Sequence, residues 1–201
     1  MAYLITPTTE LEAVNECLEN IGQAPVSSIS GDLGVDAQMA LNVVRRVNRE
    51  LQSQGWQWNT DINFTLKVNS NGDILLPTGT LAVDSDGVDR GRDVVQRGPR
   101  LYDRINHTFQ FQKDITVTIT IALAFEDLVE TARRYIAMRA SRIFQNRVEG
   151  REDNSDLRDE QAALAILVAD EIRSEDNNML TDNWSTAGTI RRHSFGYVKR
   201  T

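Results

Sequence analysis

The chain has 201 residues, 40% of them hydrophobic, which is enough to bury a core without metals or disulfides. Its single cysteine, Cys17, excludes an internal disulfide bond. The 29 acidic and 22 basic residues give a formal net charge of −7. This charge argues against a general nucleic-acid binder, because such binding depends on Lys and Arg contacts to phosphates.

The sequence indicates a soluble protein. Its first residues lack the basic segment that opens a secretion signal. The most apolar stretch, residues 115–125, contains three threonines and is too short to span a bilayer. We therefore expect neither a signal peptide nor a membrane partner.

Two helices are predicted near the start. Thr9 and Glu12 have the spacing of a capping box, and apolar residues then recur every three or four positions until Gly22. A second apolar stripe predicts a helix over residues 36–54, which ends at Gly55. The loop between them is short, so we expect the two helices to pack together.

The apolar period changes after Gly55 to one typical of strands. Residues 56–60 are predicted to be extended, and residues 62–68 to form a hairpin with residues 74–77. Isoleucine or valine alternates with threonine over residues 115–121, which is the strongest strand pattern in the chain. Shorter strands are predicted at residues 80–83, 94–96, 101–105 and 107–112.

The clearest helical pattern covers residues 125–147. Its apolar residues fall on one stripe, and its charges are ordered to complement the helix dipole, with Glu126, Asp127 and Glu130 at the start and arginines toward the end. At about 1.5 Å per residue this helix is roughly 35 Å long and can form the spine of a bundle.

A fourth helix is predicted after a charged turn at residues 148–153, with Asn154 or Ser155 as its N-cap. Its periodicity predicts a buried seam of apolar residues and one glutamine: Leu157, Gln161, Leu164, Val168 and Ile172. The acidic residues are predicted to face outward: Asp159, Glu160, Asp170 and Glu171.

These elements predict an α+β fold, in which a bundle of four helices flanks a small, mostly antiparallel β-sheet inserted between the second and third helices. The predicted bundle comprises residues 1–58 and 125–178, and the inserted β-domain comprises residues 59–124. An extended C-terminal tail is predicted for residues 179–201, where no periodicity remains.

No motif for a metal or cofactor is found. The two histidines, His107 and His193, are far apart in sequence and Cys17 lies in a helix, so no zinc-binding spacing exists. Residues 84–89 superficially resemble a calcium loop, but the glycine is misplaced and the terminal glutamate is missing, which favours a polar surface loop. We also find no phosphate-binding glycine loop and no serine or cysteine nucleophile motif.

Paired carboxylates are the one catalytic arrangement that the composition leaves open. Glu126 and Asp127 are weak candidates for a glycoside hydrolase if the fold brings them beside Trp56 and Trp58, on which a sugar could stack. A chain with 29 acidic residues contains many such pairs. A solvated acidic face is the favoured interpretation, and we expect no enzyme activity.

The tail is basic and aromatic. Its four basic residues and one acidic residue give residues 179–201 a formal charge of +3, which leaves −10 on the preceding body. An acidic neighbouring copy would attract such a tail, so we favour an exchange of tails between subunits over simple disorder. The candidate interface residues are Arg191, Arg192, Phe195, Tyr197, Lys199 and Arg200.

Several segments resemble the tail tubular protein A family of short-tailed bacteriophages. The similarity is carried by residues 13–18, 21–26, 55–60 and 97–109. The most specific part is the LYDR and NHTF segment, with Leu101, Tyr102, Asp103, Arg104, Asn106 and His107.

The resemblance implies a structural adaptor, or gatekeeper, in the virion tail. Members form a ring of twelve copies between the portal and a nozzle of tail tubular protein B, so we expect an isolated monomer that assembles on the portal. Viral DNA would pass without specific binding, because an acidic lumen repels phosphates. The outer acids of the fourth helix are candidates for that lumen. A glycan-binding or glycan-hydrolysing virion protein remains the alternative, and a DNA-binding regulator is not expected.

Overall fold

The computed structural model describes residues 6–31, 33–150 and 154–174. The helices are α1 Glu10–Asn20, α2 Val35–Gln52, α3 Glu130–Glu149 and α4 Asn154–Ser174. The strands are β1 Thr60–Leu66, β2 Thr80–Ser85, β3 Val94–Arg97, β4 Arg100–Asp103 and β5 Ile115–Ile121. This order confirms the predicted α+β fold with strands between the second and third helices. The predicted tail, residues 179–201, lies outside the described residues.

α1 begins with the predicted capping box. The Glu12 amide donates to Thr9 Oγ1 at 3.2 Å, and the Thr9 amide donates to Glu12 Oε2 at 2.8 Å. These bonds satisfy amides that have no partner within a helix. α1 buries Val14 and Cys17 against the other helices.

α3 begins at Glu130, five residues later than predicted. Phe125–Asp127 forms a short 3-10 turn, and the chain is extended at Leu128 and Val129. The Arg133 guanidinium donates to the carbonyls of Glu126 and Leu128 and stabilises this turn. Both Phe125 and Leu128 are thereby buried in the helical core. The predicted apolar stripe is confirmed, and α3 ends at Gly150, whose φ of 65° is the left-handed conformation that glycine readily adopts.

The α4 seam predicted from the sequence is wrong. The buried residues of α4 are Glu160, Ala163 and Leu167, whereas most of the predicted seam is exposed to solvent. At about 100° per residue, α4 is rotated by roughly a quarter turn from the predicted orientation. Ion pairs from α3 to Glu160 account for this rotation, since they draw an acidic residue into the interface between α3 and α4.

β5 is the central strand of a three-stranded antiparallel sheet with the order β1-β5-β2. Its alternating Ile115, Val117 and Ile119 are fully buried, as its pattern predicts. The predicted hairpin is wrong, because β1 pairs with β5 and only a single bridge, Val68 to Ile74, joins the two predicted arms. The alternation of apolar and polar residues in β1 therefore does not determine which strand it pairs with.

β3 and β4 form a separate two-stranded antiparallel sheet. Residues 107–112 were predicted to be a strand, but they form a turn with one bridge from Thr108 to Asp103. Buried apolar residues fall into two clusters, one among the helices and one among the strands. Within the described ranges, no helix is both long and apolar enough to cross a membrane.

A buried amide connects the helices to the strands. The Gln52 side chain accepts from the Leu123 amide at 2.7 Å and donates to the Leu123 carbonyl at 3.0 Å. Asn59 donates to the Gln52 carbonyl and accepts from the Trp56 amide, so residues 57–59 form a 3-10 turn rather than the predicted extended segment. Gln52 thus fixes both chain crossings between the two clusters.

We expect Gln52→Leu to lower the free energy of unfolding by about 2–3 kcal/mol, because it leaves the two polar groups of Leu123 without their partner. Gln54→Leu, on the exposed end of the same segment, is the matched control and should stay within about 0.5 kcal/mol. Urea unfolding of both variants measures the difference. Equal stability of the two would show that the Gln52 bonds contribute little.

Candidate functional site

The most specific sequence segment folds into a turn held by one carboxylate. Asp103 Oδ1 accepts from the amides of Ile105 and Asn106, and Oδ2 accepts from Asn106 Nδ2, all within 2.9 Å. The Asp103 and Thr108 backbones also bond to each other, and His107 has a φ of 53°. The segment therefore brings its predicted residues together through Asp103, which is only 4% exposed.

Two arginines stack on aromatic rings beside this turn. The Arg97 guanidinium lies 3.6 Å from the Tyr102 ring centroid, and that of Arg100 lies 4.2 Å from the Phe109 centroid. The two rings meet edge to face at 4.9 Å. Arg104 pairs with Asp93 at 3.3 Å instead of joining the stack. Cation–π contacts at exposed sites contribute about 0.5–1 kcal/mol each, so the two pairs help to order this surface.

Burial opposes ionisation of Asp103, but the hydrogen bonds from Asn106 and Ile105 outweigh it and lower the pKa of the carboxyl. A lowered pKa in the folded state contributes stability that is present above about pH 4, the unfolded value, and is lost as pH falls through the folded value.

We expect Asp103→Asn to lower the free energy of unfolding at pH 7 by about 2 kcal/mol. The new side-chain amide would place an N–H donor where Asp103 Oδ2 accepts from Asn106 Nδ2, so that hydrogen bond would be lost. The stability of this variant should also fall less than that of the natural chain between about pH 5 and pH 2. Denaturant unfolding across this pH range measures both effects. Asp61→Asn, at an exposed position, is the control. If Asp103→Asn leaves the dependence of stability on acid pH unchanged, the Asp103 carboxylate does not stabilise the turn.

The weak catalytic candidates lie beside α1. Glu126 Oε1 accepts from the Glu10 amide at 3.4 Å, and Asp127 is exposed. The rings of Trp56 and Trp58 stack on each other with centroids 6.3 Å apart. Trp56 donates to the Leu51 carbonyl at the end of α2, and Trp58 lines a pocket with residues of α4. Both tryptophans thus contribute to packing in this fold.

In the acidic loop at residues 84–89, Asp89 is paired with the protein's own cations, whereas Asp86 accepts from the Gly87 amide and the Thr118 hydroxyl. Asp89 is buried, which corrects the predicted surface position, and it accepts from the Thr116 amide while Lys113 and Arg92 pair with it at 3.0 and 3.4 Å. The Thr116 and Lys113 bonds lower the pKa of Asp89. Across the described ranges, no cluster of three or more histidine, cysteine or acidic residues could hold a metal.

Cys17 is fully buried in the helical core. Burial, together with a smaller contribution from the charge of Glu16, raises the pKa of its thiol to about 12. A thiol with this pKa is protonated and unreactive at neutral pH. Cys17 is therefore a core residue.

The sequence pattern missed the surface features of α4. Four large aliphatic residues on this helix are exposed to solvent. Their exposed fractions are 65% for Ile172, 58% for Ile166, 40% for Val168 and 39% for Leu157. Glu160, predicted to face outward, is buried between Arg139 and Arg142. Asp170 bonds to Thr131 and Arg173, and Asp159 is exposed. The rotation of α4 causes all of these differences, and only knowledge of its partners on α3 could have predicted it.

The tail candidates from Arg191 to Arg200 lie outside the described residues, so their predicted interface role remains a prediction. Glu160 is excluded from the predicted acidic lumen, because its side chain is only 8% exposed. Two features are instead available for contact with other proteins: the exposed apolar surface on α4 and the arginine–aromatic surface near β4.

Comparison with known proteins identifies the class as a structural protein of the bacteriophage tail. The sequence model described as "Tail tubular protein" matches residues 11–177, so the chain belongs to the tail tubular protein family and is a component of the virion tail. It is similar to Tail tubular protein A of Klebsiella phage KP34, with 27% identity over 188 residues. The alignment covers 92% of this chain and 98% of that relative. The family resemblance found in the sequence is confirmed.

Proposed function

We propose that the chain forms the adaptor ring of a short phage tail, between the portal and a nozzle of tail tubular protein B. Membership of the tail tubular protein family supports a place in the tail. Similarity over nearly the full length of Tail tubular protein A of phage KP34 supports a role of the same kind for the whole chain. Twelve copies in the ring and a monomeric state before assembly are part of this proposal.

The observation that carries the proposal is the α4 stripe, which we define as Leu157, Val168 and Ile172. These side chains are 39–65% exposed, although their spacing is that of a seam which is normally buried. Exposed apolar surface of this kind marks a protein interface. A neighbouring subunit that covers the α4 stripe would bury apolar surface that is exposed to solvent in the single chain, and this burial stabilises the assembly.

The charge distribution supports a conduit for DNA. A net charge of −7 repels phosphates, and a ring of subunits multiplies that effect, so DNA would pass without binding. When the ring assembles, the basic tail, which includes Arg191 and Arg192, would contact the acidic body of the neighbouring subunit. The isolated chain would remain soluble because like charges repel.

The proposal is tested by mixing the purified chain with purified portal rings. We expect a monomer when the chain is alone and a portal complex with about twelve copies of the chain, measured by sedimentation and native mass spectrometry. A chain that forms no complex with its portal under these conditions would contradict the adaptor role.

A further inference from the structure

A groove between α3 and α4 has an apolar floor. Its volume is about 310 Å³, and its floor consists of Met138, Ala162, Ala163 and Ile166. Ile166 is 58% exposed, although it is a large aliphatic residue beside a preformed depression. A groove of this size is at the lower end of the range for ligand pockets and suits one or two aromatic rings.

The rim of the groove is acidic. Glu130 and Asp159 lie on it, and Arg134 carries the positive charge there. Arg134 is paired with Glu16 at 3.2 Å, so three carboxylates oppose one guanidinium. The Thr8 amide and hydroxyl bond to Glu130 and fix the position of its carboxylate. The groove therefore combines an apolar floor with a net negative rim, which fits a segment that contains both aromatic and basic residues.

We propose that this groove binds residues 190–200 of a neighbouring copy, with Phe195 or Tyr197 on the apolar floor. The basic residues on either side, which include Arg191 and Lys199, pair with the acidic rim. The proposal rests on the ring assembly proposed above and names the surface that receives the tail. It assigns a function to Asp159 and Ile166, which the described fold does not use for packing.

The chain supplies a suitable occupant of sufficient length. α4 ends at Ser174, and Phe195 follows 21 residues later. At about 3.3 Å per residue this segment reaches up to roughly 70 Å, which spans the width of a neighbouring domain. Arginine and aromatic residues are also the usual anchors of protein interfaces.

The position of the groove favours a neighbouring copy. Ile166 lies about 160° around the α4 axis from Val168 of the α4 stripe, at 100° per residue. A subunit in a closed ring contacts a different neighbour on each side. One flank of α4 would contact one neighbour through the α4 stripe, and the groove on the other flank would bind the tail of the second neighbour.

Disulfide trapping tests the proposal in the full-length chain. Cys17 is replaced by serine, and Ile166→Cys and Phe195→Cys are then made in separate chains that are mixed, assembled on portal rings and mildly oxidised. We expect a covalent dimer in the mixture, formed at least tenfold more than with Arg158→Cys in place of Ile166→Cys. Arg158 is exposed on α4, about 80° around the helix from both Ile166 and Val168, and serves as the matched control outside the groove and the α4 stripe.

Portal rings that carry the chain but give no excess of dimer over the control would overturn the groove assignment and leave the adaptor ring intact. A mixture that forms no rings would contradict the ring itself. A chain carrying both cysteines that forms only an internal disulfide in assembled rings would also overturn the assignment to a neighbour. As a second measurement, Asp159→Lys should weaken ring assembly at least tenfold at low salt, and an unchanged affinity would contradict the acidic rim.

Discussion

Val168→Ser combined with Ile172→Ser should reduce assembly on the portal at least about 100-fold and leave the subunit folded. Both side chains lie on the α4 stripe and are 40% and 65% exposed in the single chain. Their removal therefore costs the isolated fold little, and we expect less than about 1 kcal/mol. Burial of two aliphatic side chains at an interface contributes about 3 kcal/mol or more, which corresponds to about 100-fold in affinity.

The control for this variant is Ala169→Ser, which changes an exposed position on the same helix about 100° around its axis from Val168. Titration of portal rings with each variant measures assembly, and urea unfolding measures the stability of the subunit. If the double variant assembles as well as the control, another surface holds the ring together. If it loses several kcal/mol of stability, the α4 stripe packs within the subunit and is not available to a neighbour.

Glu160→Ala should lower the free energy of unfolding by about 2–3 kcal/mol. The Glu160 carboxylate is 8% exposed and pairs with Arg142 and, at 3.4 Å, with Arg139. Arg142, which is 24% exposed, loses this partner, whereas Arg139 keeps Glu50 at 3.7 Å, so the loss is smaller than for a fully buried ion pair. The same loss should release α4 from α3, so we also expect faster proteolysis within residues 154–174.

The matched control is Gln161→Ala, one residue later and exposed. It should change stability by less than about 0.5 kcal/mol. A Glu160 variant no less stable than this control would show that α4 is held to the bundle by its apolar contacts alone.

Elements whose signals are local were predicted well. The capping box at Thr9 and Glu12 forms as its spacing indicates, because both bonds lie within one helical turn. The alternation over residues 115–121 identifies the central strand, since one face of the strand is buried and the other is largely half-buried, which selects alternating apolar residues and threonines, all of them β-branched. The apolar stripe of α3 likewise identifies the bundle spine.

Elements that depend on distant partners were not predicted. β1 pairs with β5, which lies about 50 residues away in sequence, and its own residues do not encode that choice. α3 begins late because Arg133 bonds to the carbonyls of a preceding turn. The orientation of α4 depends on Arg139 and Arg142 of α3, and periodicity alone assigned the larger aliphatic residues to the core.

The same limit applies to the candidate site. The family segment from Leu101 to His107 was found in the sequence, but the function of Asp103 as the acceptor that closes the turn follows only from the structure. The groove beside Ile166 could not be predicted, because it forms between two helices whose contact is not encoded in either one. The sequence shows that the chain has many acidic residues and a basic tail. Only the structure shows that Glu130 and Asp159 lie together on the rim of one groove.

The adaptor role is tested most directly by electron microscopy of portal rings incubated with the purified chain. We expect a second ring of twelve subunits on one face of the portal, with α4 of each subunit in contact with its neighbour along the α4 stripe. A reconstruction that shows the chain attached as separate copies with the stripe exposed, or a portal without added density, would contradict this role.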